Sequence, residues 1–398
     1  MRKLISAAIA AVVLTGCPQQ QDRNSAQSGR TPANAMPFGS AAAQVTAAQP
    51  SVRPPAVMQG GVVKAMAFGP SDTLVISAAS AVSPLATTRP AQGDANADGR
   101  SDLTWVRRNG FYYDTAHWRM NGATVQQYTG PTRVVWKDNA PALNADFDGD
   151  RRVDQLWFNA NDPGRQLVLA RQNETGGFEQ TYIATIGDGW VPNAAVDLNG
   201  DGKSDIVWVD RARGLMAYWL MSGATVLGSR LYSFDTENYN FLGTGDFDGN
   251  GRGDLLWYGK KLDGPLYMWR GRTDGHFDQL YVGNPTIAYQ FEGTTDLNGD
   301  GKSDLIFTAF SLKLFSYWLM NGASVLQRGS IGADTQHYQV AALGDFDGDG
   351  KGDVMWSGWS SEGNTEPLYL WRGLGNGTFE SRYVTHYDNT YWRVMPNP

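Results

Sequence analysis

GDFDGDGKGDVMW, running from Gly344 to Trp356, is built on alternation. With Asp345 as position 1, Asp347, Asp349 and Asp353 follow at positions 3, 5 and 9, Gly350 stands at position 6 and Lys351 at position 7. Alternate side chains of a tight turn can converge on one point, and glycine at position 6 permits the sharp bend this needs. Four oxygen-bearing groups so crowded repel one another unless a cation sits among them. The run then changes character. Val354, Met355 and Trp356 open a β-branched and aromatic stretch of the kind that forms a strand.

Five further copies precede it: GDANADGRSDLTW from Gly93, ADFDGDRRVDQLW from Ala145, VDLNGDGKSDIVW from Val196, GDFDGNGRGDLLW from Gly245 and TDLNGDGKSDLIF from Thr295. Their leading aspartates, Asp94, Asp146, Asp197, Asp246, Asp296 and Asp345, are separated by 52, 51, 49, 50 and 49 residues. Self-similarity at a fixed period marks a repeat architecture. A longer repeat lies over it. Units one, three and five continue into HWRMNGATV (from His117), YWLMSGATV (Tyr218) and YWLMNGASV (Tyr317). Units two, four and six carry LVLARQNETGGFEQTYI (Leu167), LYMWRGRTDGHFDQLYV (Leu266) and LYLWRGLGNGTFESRYV (Leu368).

Each unit holds several short aromatic and aliphatic runs separated by Gly, Asn and Asp, which reads as four antiparallel strands. Such units repeated radially make an all-β propeller. Six blades over residues 93–398 are expected, with seven as the alternative if residues 62–82 contribute. An aromatic strand precedes the acidic loop in later units, as in NYNFLGTGD and HYQVAALGD, but residues 83–92, SPLATTRPAQ, offer none to unit one. The C-terminal TYWRVM, from Thr390, is therefore expected to complete the first blade and lock the ring.

The oxygen side chains at positions 1, 3, 5 and 9 are Asp94, Asn96, Asp98 and Asp102; Asp146, Asp148, Asp150 and Asp154; Asp197, Asn199, Asp201 and Asp205; Asp246, Asp248, Asn250 and Asp254; Asp296, Asn298, Asp300 and Asp304; and Asp345, Asp347, Asp349 and Asp353. An all-oxygen set suits calcium, which takes six to eight oxygens, and about six sites are expected. Position 7 is Arg100, Arg152, Lys203, Arg252, Lys302 or Lys351. A cation is a poor side-chain ligand, so these residues are expected to offer only a carbonyl and to send their side chains into water. Unit two departs at position 6, where Arg151 replaces glycine and puts the loop geometry in question. Helices and a bidentate Glu at position 12 would make an EF-hand. Here position 12 is Trp105, Trp157, Trp208, Trp257, Phe307 or Trp356, read as packing between blades. The motif resembles the FG-GAP and VCBS repeats, the calcium-bearing blades also found in the integrin α-chain propeller. The resemblance covers about three quarters of the chain and implies a calcium-binding propeller. That family is usually seven-bladed, so six copies depart from it.

The N-terminus reads as an address. Arg2 and Lys3 precede the apolar Leu4–Leu14, too short to span a bilayer but of signal-peptide length. Leu14, Thr15, Gly16 and Cys17 resemble the lipobox of bacterial lipoproteins, which implies that Cys17, the only cysteine, is lipidated. Pro18 after it, by resemblance to lipoprotein sorting in Gram-negative bacteria, implies the outer membrane. The chain thus divides into a signal peptide (1–17), a disordered Ala-, Gln- and Pro-rich tether (18–60) reaching about 40 Å as a coil, a segment of undetermined structure (61–92), and the propeller (93–398).

A formal charge of −7 without a basic run argues against nucleic acid, which needs clustered Lys and Arg. His117, His276, His337 and His386 are scattered, and no nucleophile elbow or phosphate loop is present, so no catalytic residue is expected. The expected function is recognition of carbohydrate or protein at the cell envelope, with a passive scaffold or assembly factor as one alternative and a calcium-dependent polysaccharide lyase as another. Trp118, Trp219 and Trp318 recur at two-blade intervals, and Trp269 and Trp371 form a second matched set; all five are candidates for stacking on a sugar or for packing between blades. Arg252-Gly253-Asp254 spells an integrin-recognition tripeptide, but Asp254 belongs to the fourth acidic loop.

Overall fold

A computed structural model describes residues 91–134, 139–161, 163–261, 263–285, 289–358 and 365–395. The expected signal peptide, lipidated Cys17, tether and residues 61–90 lie outside them. Among the described residues, twenty-four strands form six four-stranded antiparallel sheets. Blade 1 contains β1 (Leu103–Asn109), β2 (Tyr112–Asn121) and β3 (Thr124–Val134). Blade 2 contains β4 (Ala140–Ala145), β5 (Asp154–Phe158), β6 (Gln166–Gln172) and β7 (Phe178–Thr185). Blade 3 runs β8 (Val191–Val196), β9 (Asp205–Asp210), β10 (Leu215–Ser222) and β11 (Thr225–Ser233). Blade 4 runs β12 (Tyr239–Gly245), β13 (Asp254–Gly259), β14 (Leu266–Gly271) and β15 (Phe277–Gly283). Blade 5 runs β16 (Gln290–Thr295), β17 (Asp304–Ala309), β18 (Leu314–Asn321) and β19 (Ser324–Gly332). Blade 6 runs β20 (Tyr338–Gly344), β21 (Asp353–Gly358), β22 (Thr365–Gly373) and β23 (Phe379–Asp388).

The fourth strand of blade 1 is β24 (Trp392–Met395), which pairs antiparallel with β1 from Thr104↔Met395 to Arg107↔Trp392. The two ends of the propeller thus share one sheet. The ring is six-bladed, and the C-terminal strand has the place its sequence called for.

The strand patterns follow from sandwiching each blade between two others. β9, β17 and β21 are buried at every residue, and each follows its leading Asp with an apolar run that does not alternate: 206–209, 305–307 and 354–356. The outermost β7 is part exposed along its length. Trp105, Trp157, Trp208, Trp257, Phe307 and Trp356 are all buried and pack between blades as expected.

The seams are unequal. Between blades 3 and 4, Val207, Met216 and Tyr218 meet Leu255 and Trp269 in one large apolar cluster. Between blades 1 and 2 the buried apolar cluster shrinks to Trp157, Val168 and Ala170, edged by Tyr113 and Phe178. Polar groups stand there instead: Gln155 Nε2 donates to Thr115 Oγ1 at 2.7 Å, and Thr104 Oγ1 lies 3.1 Å from His117 Nδ1. His117 Nε2, Gln155 Oε1 and both amide atoms of Asn144 are buried with no protein partner among the described residues. Burial pushes His117 down to about 4.

Candidate metal centre

Each acidic loop is folded by its own side chains. In blade 6, Asp345 Oδ1 accepts the N–H groups of Gly348 (2.7 Å) and Asp349 (3.1 Å), and Oδ2 accepts that of Gly350 (2.8 Å). In all six loops Oδ2 of position 1 takes the N–H of position 6 at 2.7–2.8 Å. That bond survives in loop two, where Arg151 adopts the left-handed φ of 68° that glycine holds elsewhere. The departure at Arg151 therefore leaves the loop shape intact at the cost of backbone strain. Ala97 at position 4 of loop one, φ 61°, is a second such substitution.

Position 9 is fully buried in every loop. One carboxylate oxygen accepts the N–H of position 2 at 2.8–3.1 Å. The other reaches across to a strand: Met120, Gln172, Met221, Gly271, Met320 or Gly373 donates its N–H at 2.7–2.8 Å. This aspartate thus fastens its loop to the blade, a role that spacing in sequence does not reveal.

The loops also fasten to one another. The N–H of position 8 donates to the position 1 carbonyl of the preceding loop: Val153 to Asp94, Ser204 to Asp146, Gly253 to Asp197, Ser303 to Asp246, Gly352 to Asp296 and Ser101 to Asp345, at 2.5–2.9 Å. The last bond closes a ring of six at one end of the molecule. The approach is tight: a Cβ on Gly253 would stand 2.4 Å from Val196, and one on Gly352 2.4 Å from Thr295.

The donor set is chemically uniform. Asp146, Asp148 and Asp154, then Asp246, Asp248 and Asp254, then Asp345, Asp347 and Asp353, bring carboxylate oxygens within 4.8 Å of one another. Asn96, Asn199 and Asn298 take position 3 in the odd blades, so those loops carry an amide oxygen where the even loops carry a third converging carboxylate. Burial first, with mutual repulsion added and N–H bonds opposing, pushes Asp102, Asp254 and Asp304 up to about 7 and Asp154, Asp205 and Asp353 up to about 8. Burial raises Asp94, Asp197, Asp296 and Asp345 in the same way, and Asp146 to about 6. Carboxylates that are costly to ionise, close together and lacking nitrogen or sulfur neighbours match a hard divalent cation. Each oxygen that accepts one N–H keeps a second lone pair for a metal.

Position 7 corrects one expectation. In five of the six loops its side chain does not go free into water: Arg100, Arg152, Lys302 and Lys351 return to the position 5 carboxylate at 3.5, 3.0, 3.5 and 3.0 Å, and Lys203 Nζ donates to Ser222 Oγ at 3.0 Å. The physical reason is the crowding of negative charge, which draws the nearest cation onto the loop. In blade 6, Arg372 adds a contact to Asp347 and another to Asp349 at 3.1 Å.

A family model described as an FG-GAP-like repeat matches residues 146–208, 197–257 and 296–356, each span running from the first Asp of one acidic loop to the aromatic position 12 of the next unit. The chain carries FG-GAP-like repeats. No curated protein matches it. Among solved structures it is similar to a chain of a nidogen–laminin complex (14% identity, covering 72% of this chain and 97% of that one, TM-score 0.42). It is also similar to a protein from Lactobacillus plantarum (10% identity, 71% and 82% covered, TM-score 0.46).

Within the FG-GAP-like blades the recurring tryptophans are placed by packing. Trp219, Trp318, Trp269 and Trp371 are buried, the last two completely, and Trp269 and Trp371 lie 4.7 and 4.9 Å from Trp257 and Trp356. None of these four presents an open ring face for stacking. Trp118 is half-buried between Trp105 and Tyr128. Asp254 of the Arg-Gly-Asp tripeptide is buried with both oxygens bonded to backbone.

Proposed function

We propose that this chain is an exported, lipid-anchored binding module whose FG-GAP-like propeller is held by calcium and recognises a carbohydrate or protein at the bacterial envelope. The observation that carries the calcium reading is the repeated convergence of buried carboxylates with raised pKa at positions 1 and 9. The side chains of positions 1, 3 and 5, with that of position 9, would hold the ion in each loop, and position 7 would add its carbonyl. Calcium there neutralises repulsion rather than supplying chemistry. Because the loops are hydrogen-bonded in a closed ring, an ion in one loop stiffens its neighbours as well, which favours a rigid recognition surface over a moving one.

Anchoring rests on Arg2, Lys3, Leu4–Leu14 and Cys17. Metabolic labelling with a fatty acid should mark the wild-type chain and not Cys17→Ser. The binding reading is tested by titrating the full chain with a glycan panel, with calcium and then with chelator. Calcium-dependent retention of a glycan supports it. A folded, calcium-loaded chain that retains none directs the search to crosslinked protein partners.

A further inference from the structure

Blade 1 carries a charged row that the repeat does not require. Across its four strands, in register, stand Trp392 on β24, Arg107 on β1, Asp114 on β2 and Arg133 on β3. Residues in register share a sheet face, and strands lie about 4.8 Å apart, so the row is about 15 Å long. The same row reads Asp210, Leu215, Ser233 in blade 3 and Ala309, Leu314, Gly332 in blade 5. A blade therefore folds without it.

Two guanidinium groups in this row share one carboxylate. Arg107 donates from Nε to Asp114 Oδ2 at 3.0 Å and brings an Nη within 2.9 Å of the same oxygen. Arg133 Nε lies 3.4 Å from Oδ1, and Asn109 Nδ2 donates to Oδ2 at 2.9 Å. Asp114 is buried, which pushes its carboxyl up, but Asn109, Arg107 and Arg133 together outweigh burial and hold it below its ordinary value. Each guanidinium also lies over a ring, Arg107 4.7 Å from the Trp392 centroid and Arg133 5.5 Å from that of Tyr112. Carboxylate and rings thus fix both planes, so little rotamer freedom is left to lose on binding.

The donors are not used up. A guanidinium has five N–H groups, and Asp114 is the only carboxylate in contact with either arginine among the described residues. The side chains remain 31 % and 53 % exposed. Arg108 and Arg393, the chain neighbours of Arg107 and Trp392, are exposed too but alternate onto the opposite face of the sheet. Exposed Phe111 and Tyr391 stand beside it in sequence, in the β1–β2 turn and just before β24. In a chain of formal charge −7, this concentration of arginine is an exception. Fixed guanidinium forks match planar oxyanions, and neighbouring rings offer an apolar surface to the C–H faces of a sugar.

We propose that the Arg107–Asp114–Arg133 row of blade 1 binds the carboxylate or sulfate groups of an acidic glycan. This names the ligand class of the binding module above and rests on that reading. The test is calorimetric titration of the calcium-loaded full chain with three probes: a glucuronate-containing hexasaccharide, its carboxyl-reduced counterpart and inorganic sulfate. The acidic hexasaccharide should bind about tenfold or more tighter than the reduced one, in keeping with lost charge-assisted hydrogen bonds, and its affinity should fall with added salt. Arg133→Gln should weaken it about tenfold without moving the melt, and Arg133→Lys should recover part of the loss. Wild-type affinity in folded Arg133→Gln and in Arg107→Lys overturns the site. If both hexasaccharides then bind alike, the binding-module reading stands without it; if neither binds, the carbohydrate reading falls too. Sulfate binding as tightly as the hexasaccharide would make the row a simple anion site and remove the glycan assignment.

Discussion

Stripping calcium should expose a pH dependence whose sign is set by the position 9 aspartates. In the unfolded chain these carboxyls titrate near 3.8, whereas burial in the fold pushes them up to about 7 or 8. The folded state therefore keeps protons that the unfolded state has released. Stability is full below the unfolded value, and is lost as pH climbs towards the folded one. The shift of Asp154, from 3.8 to about 8, corresponds at face value to about 6 kcal/mol. A quarter of that in each of six loops would total about 9 kcal/mol, comparable to the whole net stability of an ordinary domain, about 5–15 kcal/mol. A metal-free ring at alkaline pH should thus be close to unfolding. His117 works the other way: its depressed pKa, about 4, removes stability as pH falls below its ordinary 6.5. The clean window therefore runs from about pH 6.5 to about pH 8. Melts followed by tryptophan fluorescence in that window, with chelator, should show a midpoint that falls as pH rises. With about 1 mM calcium the midpoint should be higher at the alkaline end and the slope flat or reversed, because calcium replaces protons. A chelated protein at about pH 8 as stable as the calcium-loaded one would refute the reasoning, provided metal removal is verified by elemental analysis.

Three further outcomes follow from packing. Arg151→Gly should raise stability by about 0.5–1 kcal/mol by relieving the left-handed residue of loop two, while Gly202→Arg, its mirror in loop three, should lower it; chemical denaturation reads both. At the blade 1–2 seam, Gln155→Leu made together with His117→Tyr restores residue types found in the sister blades. The pair should stabilise by about 1–3 kcal/mol by removing buried atoms without partners, and should abolish the acid-side loss of stability. Trp371→Ala should cost about 3–5 kcal/mol as a core truncation, whereas calorimetric glycan affinity of the still-folded fraction should be unchanged, because the ring is covered.

Much of the fold could be read from residues 93–398 alone. The position 1 to 9 pattern, its even spacing and the strand-like run after each loop lie within about a dozen consecutive residues, so chain order displays them. Blade closure was legible for a related reason: unit one lacks an inner strand, and TYWRVM at the C-terminus lacks a partner, so each implies the other. The aromatics at position 12 announced themselves as core by size and register.

Most of what lay beyond the sequence has one physical cause. Contacts between blades join residues about 50 positions apart, and nothing in the local pattern orders them. The six-membered ring of Asp carbonyls and position 8 amides, the polar seam around Gln155 and His117, and the pairing of Arg107 with Trp392 from the far end of the chain all appear only when the propeller closes, whereas the reach of each position 9 carboxylate to a strand of its own blade and the return of Arg152, Lys302 and Lys351 onto their own loops depend on side-chain direction within one blade, which spacing does not encode either. The same closure decided the five candidate tryptophans, because whether an indole stacks on a ligand or fills a seam depends on the distance to the next blade, which repeat spacing does not encode. Sequence determined what each blade is, and tertiary structure decided what each blade does to its neighbours.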